Sequence, residues 1–361
     1  MADQAWQQSL KESVTSVTQL VDLFDFDPHP LLAVEQKYPL KITPHYLGLI
    51  DNVGDPIWRQ CVPDLNELNP DGLLDPLGED NLSPVSAVIH RYPDRAIFLV
   101  SGTCAGYCRF CTRKRKVGCS EMSVSFRDLR EGIEYIAATP EIHDVIFSGG
   151  DPFVLPDSVL EDLLARIHQI PHVEIIRIGT RVPVTLPERI TGRLCTLLKK
   201  YHPLYINTHF NHPRELTERS MAACAQLADA GIVLGNQTVL LRGVNDQPQI
   251  IHDLFRRLLK MRVRPYYLHH MDLVQGAGHF RTSVNAGLNI MSALRGQVSG
   301  LALPYYVIDL PGGKGKVPLL PDAVKRRGDI LVIQTSSGER VEYVDIPKED
   351  LTPGSLFDLI K

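Results

Sequence analysis

Between residues 96 and 296 the chain alternates six times between a short β-branched or apolar run and an amphipathic segment. The runs are AIFLVSG (96–102), DVIFSGG (144–150), VEIIRIG (173–179), LYINTHF (204–210), IVLGNQTVLL (232–241) and RPYYLHHMD (264–272). Each precedes a stretch with helical spacing, from VSFRDLREGIEYIAA after the first to SVNAGLNIMSALRG after the sixth. Six β-then-α units in succession predict a parallel sheet with right-handed crossovers, curled into a partial (β/α)6 barrel, although an open doubly wound sheet shares the alternation. In such barrels the working residues lie at the strand C-termini and in the loops that follow. Polar residues gather there: Ser148 to Asp151, Gly179 to Arg181, Thr208 to His212, Asn236 and Gln237, and His269 to Asp272.

The flanks read differently. Residues 6–25 place Leu10, Val14, Val17, Leu20, Val21 and Phe24 at three- and four-residue spacings, which predicts one amphipathic helix packed across the main domain. The Pro-, Asp- and Asn-rich stretch from about 27 to 90 reads as short helical pieces, so residues 1–90 are expected to form an N-terminal wrap rather than a separate domain. The barrel then occupies 91–300 and a C-terminal extension 301–361. That extension holds a strand candidate (304–310), the glycine-rich PGGKGK (311–316) and a hairpin pattern, ILVIQTSSGERVEYVDI, with SSG at its turn; the last residues read as a cap.

Composition narrows the class. With 44% apolar and 22% charged residues the 361-residue chain can bury a large core, so disorder is not expected. A net charge of −4 gives no footprint for nucleic acid, and the basic run Arg113, Lys114, Arg115, Lys116 therefore needs a local explanation. No apolar stretch approaches a membrane span, and MADQAWQQSLKESV lacks the basic and apolar regions of a signal peptide, so a cytoplasmic location is the expectation. Seven cysteines in a chain too large to need stapling point to reduced thiols or metal ligands.

Three of those cysteines carry the chemistry. Cys104, Cys108 and Cys111 form a C-x3-C-x2-C pattern directly after the first barrel strand. Thiolates suit iron-sulfur clusters, and one compact loop can aim three sulfurs at one cluster. Three protein ligands leave the fourth iron of a [4Fe-4S] cluster open to a small molecule. A zinc site would need a fourth ligand, which Cys119 or a distant histidine could supply.

The motif at the first strand end of a six-unit barrel resembles the radical S-adenosylmethionine (SAM) superfamily, in which SAM chelates the open iron. The resemblance narrows further. HRYPDRAIFLVSGTCAGYCRFCTRKR, FSGGDP, HVEIIRIGTRVPVTLPERIT, KKYHPLYINTHFNHP, LGNQTVLLRGVND, RPYYLHHMD and GHFRTSV…LRGQVSG…DLPGGKGKVP resemble lysine 2,3-aminomutases, in family order over about residues 85 to 320. The resemblance implies an isomerase that uses the cluster, SAM and pyridoxal 5′-phosphate (PLP) to move an amino group from C2 to C3.

Its site residues follow by position. Lys316, just before Val-Pro, is the implied PLP lysine, with Lys314 as a local competitor; a lysine amine can form a Schiff base with an aldehyde cofactor. Arg91, Tyr92 and Arg95 are implied near PLP or its phosphate, which an arginine fork suits. Gly149, Gly150 and Asp151 match the loop that contacts the SAM amine, with glycines letting backbone approach a ligand, and His209 and Gln237 match positions in the cavity. Arg113 matches the partner of the substrate α-carboxylate, and Asp272 and Asp309 match two carboxylates that receive the ε-ammonium of lysine. Two anions facing one cation argue against glutamate, but the guanidinium of arginine could use the same pair. The resemblance also implies an external electron donor of the flavodoxin or ferredoxin type and a homodimer.

Departures limit the analogy. Longer relatives bind a structural zinc through C-terminal cysteines, and here no cysteine follows Cys224, so no such zinc is expected. In this the chain resembles relatives that supply β-lysine for elongation factor P, yet those often lack the aspartate equivalent to Asp309. His269 stands where longer relatives carry tyrosine.

Overall fold

The computed structural model describes residues 2–119, 122–320, 324–327, 330–335 and 338–344; the expected C-terminal cap lies outside them. Strands β1 (Val88–Tyr92) and β2 (Arg95–Ser101) form an antiparallel hairpin through the Pro93-Asp94 turn. From β2 the sheet runs parallel through β3 (Asp144–Gly149), β4 (Ile175–Gly179), β5 (Leu204–Thr208), β6 (Val233–Leu240), β7 (Val263–His270) and β8 (Tyr305–Asp309). The short β9 (Lys316–Pro318) turns back antiparallel on β8.

The strand order is the chain order, β1 to β9, with every strand beside its chain neighbour. A doubly wound sheet must reverse direction at a switch point. None exists here, and the sheet curls instead as a partial barrel. Its two edges approach through side chains: Arg91 of β1 reaches Asp309 of β8 at 3.3 Å, and the Tyr92 hydroxyl accepts the Lys316 N–H of β9 at 2.8 Å.

Each expected helix forms behind its strand, and sequence spacing explains the packing. In Pro248–Lys260, Ile251, Leu254, Phe255 and Leu258 are buried at three- and four-residue intervals on the face turned to the sheet. Along β3 and β6 buried residues alternate with partly exposed ones, so Ser148 and Gln237 fall on the row turned away from the helices. The wrap shares this core: Trp6, Val17, Leu20, Ile42, Ile57 and Trp58 belong to the same buried cluster as the barrel strands.

Two expectations need correction. The helix expected over 6–25 stops early: the helix spans Ala2–Lys11, and a separate 3₁₀ turn covers Val17–Leu20. Between them Val14 exchanges both backbone hydrogen bonds with Ile42, and Ser16 with Gln19 makes a capping box that starts the new turn. Four β-branched residues in Val14–Thr18 ease that break. The C-terminal hairpin forms as β11 (Ile330–Gln334) with β12 (Arg340–Val344), and Gly338 supplies the positive φ of 87° at its turn. An unforeseen strand, β10 (Val324–Arg327), pairs with β11 to make a three-stranded sheet.

The basic run finds its explanation in the wrap. Arg113 pairs with Glu79, Lys114 with Glu67, Arg115 with Asp75 and Asp80, and Lys116 with Asp80. The deepest of these contacts is a triad. The fully buried Glu67 accepts Nε and Nη2 of Arg109 at 2.9 and 2.5 Å and Nζ of Lys114 at 2.6 Å. Burial, with the Arg109 charge beside it, pushes the Lys114 ammonium down to about 8 against the pull of Glu67. Removing one member of such a set leaves buried charge uncompensated. Glu67→Gln should therefore lose about 3–5 kcal/mol of stability in denaturant unfolding, whereas Arg127→Gln, at an exposed helical pair, should leave the unfolding midpoint nearly unchanged.

Candidate active site

The loop after β2 brings Cys104, Cys108 and Cys111 together. Burial pushes the Cys104 thiol well up, as do the neighbouring Asp151, Cys111 and Cys108, while Lys41 draws it down. Cys111 is pushed up to about 11 by burial and by Cys108, against the backbone and charge of Arg113. Cys104 and Cys111, each raised in part by Cys108, thus share one neighbourhood with it, and buried cations stand ready to offset thiolate charge. Among the described residues no three His, Cys, Asp or Glu side chains stand at the spacing of a single ion's ligands. A set of three thiolates on one loop suits a four-iron cluster, which takes one thiolate at each of three irons and leaves the fourth open.

Gly149 and Gly150 lie against the cysteine loop. A Cβ on Gly149, at φ 120°, would lie 2.3 Å from the Ser101 carbonyl oxygen, and one on Gly150 would lie 2.1 Å from that of Thr103. The amides of Gly150 and Asp151 donate to Ser101 O and Thr103 O at 2.6 and 2.8 Å. These glycines thus let the β3 loop lie against the cysteine loop. The Asp151 carboxylate is likewise occupied, accepting Thr180 Oγ1 and the amides of Phe153 and Arg181 at 2.7, 3.0 and 2.7 Å; burial raises it despite those bonds.

A second group of residues gathers where the sheet edges meet. The Lys316 ammonium donates to Asp309, stands 3.3 Å from Nδ1 of His269 and lies 5.2 Å from the centre of the Tyr267 ring. Lys314 is exposed, so geometry separates the two lysines. Arg91 adds a second cation on Asp309 and also donates to Leu77 O, while Arg95 lies over the Tyr92 ring at 3.9 Å and pairs with Asp94. Burial pushes Asp309 up, but hydrogen bonds from His269 and Lys316 and the Lys316 charge hold it well below the usual carboxylate range. The Asp272 carboxylate has no hydrogen-bond or ion-pair partner among the described residues. Burial, Asp309 and Glu79 raise it to about 7 against Lys316 and Arg91.

The remaining expected residues line the same interior. Burial, followed by the Arg181 and His269 charges, lowers His209; burial and Lys316 lower His269. The Nε2 atoms of both are buried without a partner, an arrangement suited to a ligand. Gln237 follows an irregularity in the β6–β7 register, a place where bulges re-aim side chains. Arg113 is more engaged than expected: it grips Glu79 through Nε and Nη2 at 2.8 and 2.7 Å, and its Nη1 reaches Ser148 Oγ and Gly149 O at 3.3 and 3.2 Å. Sequence reasoning missed Glu79 and Glu67. The four consecutive cations were the available signal, because buried charges need partners.

Comparison with known proteins agrees with this geometry. Residues 98–254 match the Radical SAM superfamily, and residues 291–338 match Lysine-2,3-aminomutase. The chain is 47% identical over 327 residues to an L-lysine 2,3-aminomutase of Fusobacterium nucleatum, covering 89% of this chain and 77% of that one. It is 44% identical over 363 residues to that of Clostridium subterminale, covering 99% and 87%. It is also 42% identical over 351 residues to a glutamate 2,3-aminomutase of Clostridioides difficile, covering 96% and 83%. The fold and the cysteine loop therefore define a radical SAM enzyme. More narrowly, the chain belongs to the lysine 2,3-aminomutase family, isomerases that use a [4Fe-4S] cluster, SAM and PLP.

Two outcomes test the site. Gly150→Ala should bind well under half of the about four irons per chain expected of the reconstituted parent, measured by iron and sulfide analysis, because the Thr103 carbonyl must move. Asp272 titrates higher folded than unfolded, so the folded chain holds that proton more tightly and stability falls as pH rises from the ordinary carboxylate range through about 7. Unfolding of the ligand-free protein across that range should show this loss in the parent, and Asp272→Asn should be more stable than the parent on its alkaline side.

Proposed function

We propose that this chain is an L-lysine 2,3-aminomutase, interconverting L-α-lysine and β-lysine. The observation that carries the reading is the pair of buried carboxylates, of which Asp309 has cationic partners and Asp272 has none. A carboxylate in that position favours a ligand that brings its own cation. Glutamate would bring a third negative charge to the same place, which disfavours it.

The cofactors supply an adenosyl radical and a conjugated carbonyl able to carry the migrating nitrogen. Cys104, Cys108 and Cys111 would hold three irons, leaving the fourth to the SAM amine and carboxylate. Lys316 would hold PLP, with Arg91 and Arg95 offering donors to its phosphate and Tyr92 fixing the Lys316 backbone. Arg113 would orient the substrate α-carboxylate. Its Nη1, set on Ser148 and Gly149, can transfer to the substrate while Nε and Nη2 stay anchored on Glu79. Asp272 and Asp309 would receive the ε-ammonium, fixing how far along the chain C2 and C3 lie. The loops at the strand ends exclude water, and neutral His209 and His269 offer ring nitrogens without adding charge.

One electron must come from outside the chain, from a flavodoxin- or ferredoxin-type donor. The resemblance also supports a homo-oligomer and a cytoplasmic enzyme. No helix among the described residues is long and apolar enough to cross a membrane.

Anaerobic incubation of protein reconstituted with iron, sulfide, PLP, SAM and dithionite, with L-lysine, L-arginine and L-glutamate compared by mass spectrometry, tests the assignment. β-Lysine should dominate, and Asp272→Asn should raise KM for lysine at least tenfold. Dominant β-arginine would keep the fold and cofactors but overturn the lysine assignment.

A further inference from the structure

Arg181, just past β4, has no part in the reaction described above, yet it is among the most heavily bonded side chains in the molecule. Its Nη1 donates to Cys108 Sγ at 2.7 Å. Its Nη2 donates to Gln60 Oε1, Glu215 Oε1 and Tyr46 Oη at 2.7, 2.8 and 3.0 Å, and its Nε reaches His209 O at 3.3 Å. The Glu215 side chain is fully buried and also accepts the amides of Asn211 and His212 at 2.6 and 3.0 Å. One buried guanidinium therefore stands between a cysteine of the cluster loop and a buried carboxylate.

We infer that Arg181 sets the reduction potential of the cluster, with Glu215 as its counterweight. The inference rests on the assignment of Cys104, Cys108 and Cys111 as the cluster's ligands. Anchoring the fold would need only the Glu215, Gln60 and Tyr46 side of the guanidinium. A neutral thiol is a weak acceptor, whereas a thiolate is a strong partner for a buried arginine N–H. Reduction takes one electron from the external donor and adds one negative charge at the cysteine loop. A buried cation hydrogen-bonded to a ligand sulfur stabilises the reduced form more than the oxidised one and so raises the potential. Glu215 offsets part of that effect by neutralising part of the charge. Arg181 acts through Cys108 and is a positioning residue in this sense, not a catalytic one.

The arrangement gives effects of opposite sign. Arg181→Gln should move the midpoint potential to more negative values, and Glu215→Gln, which leaves the cation unopposed, should move it to less negative values. Arg181→Lys keeps the charge but cannot span both Cys108 and Glu215, so its midpoint should fall between those of Arg181→Gln and the parent. The measurement is a redox titration of reconstituted protein followed by electron paramagnetic resonance, without SAM, so that any contact of Arg181 with bound SAM plays no part. An unchanged midpoint in Arg181→Gln at full iron content overturns the inference. So do shifts of the same sign in the Arg181 and Glu215 variants. If Arg181→Gln does not fold, Arg181→Lys against Glu215→Gln decides by the same criterion of sign. A parent that takes up no four-iron cluster, or a Cys108→Ala variant that holds it as well as the parent, overturns the cysteine assignment instead.

Discussion

Turns carry most of the backbone hydrogen bonds of the loop that bears the three thiols, and buried charge ties it to the wrap. Between the end of β2 and the helix Phe126–Ala137 lie more than 20 residues, among them Cys104, Cys108 and Cys111. Glu67 of the wrap takes both Arg109 and Lys114, Glu79 takes Arg113, and the Thr103 carbonyl takes the amide of Asp151. Charged contacts of this kind hold well only when complete, because a missing partner leaves a desolvated charge behind. The wrap is thus the other half of the cysteine loop. The same Glu79 that orients Arg113 also helps to raise Asp272, so the wrap reaches the substrate end of the site as well.

The sequence announced the barrel more clearly than the contacts that organise its mouth. Six strand–helix units were legible because β-branched runs and helical spacing are local signals, and the cysteine triplet stood out at the first strand end. The break after Lys11 was harder, since Val14 keeps helical spacing while its backbone pairs with Ile42, far along the chain. Glu67 and Glu79 lie in a Pro- and Asp-rich stretch that reads as loop, and only the fold brings them to Arg109 and Arg113, 42 and 34 residues away. Gly149 and Gly150 were conspicuous, but the neighbouring carbonyls that leave no room for a Cβ there are not visible in sequence. Arg181 was visible only as one polar residue at a strand end. Its partners come from the wrap, the cysteine loop and the segment after β5.

The charges around Lys316 explain why two aspartates serve better than one on the proposed reading. In the ligand-free chain Asp309 is compensated by Lys316 and Arg91, whereas Asp272 is raised to about 7 and can remain protonated. If Lys316 held PLP as proposed, it would share its charge with the cofactor, and Arg91 would be the other cation facing the two acids. A substrate with a terminal ammonium would add the cation that Asp272 lacks and favour its ionised form. A ligand without that cation leaves both carboxylates short of a partner in a buried place, where the cost is greatest. On that reading, selectivity for a diamino acid over glutamate would rest on Asp272, the carboxylate to which the chain itself gives no ion-pair partner among its described residues.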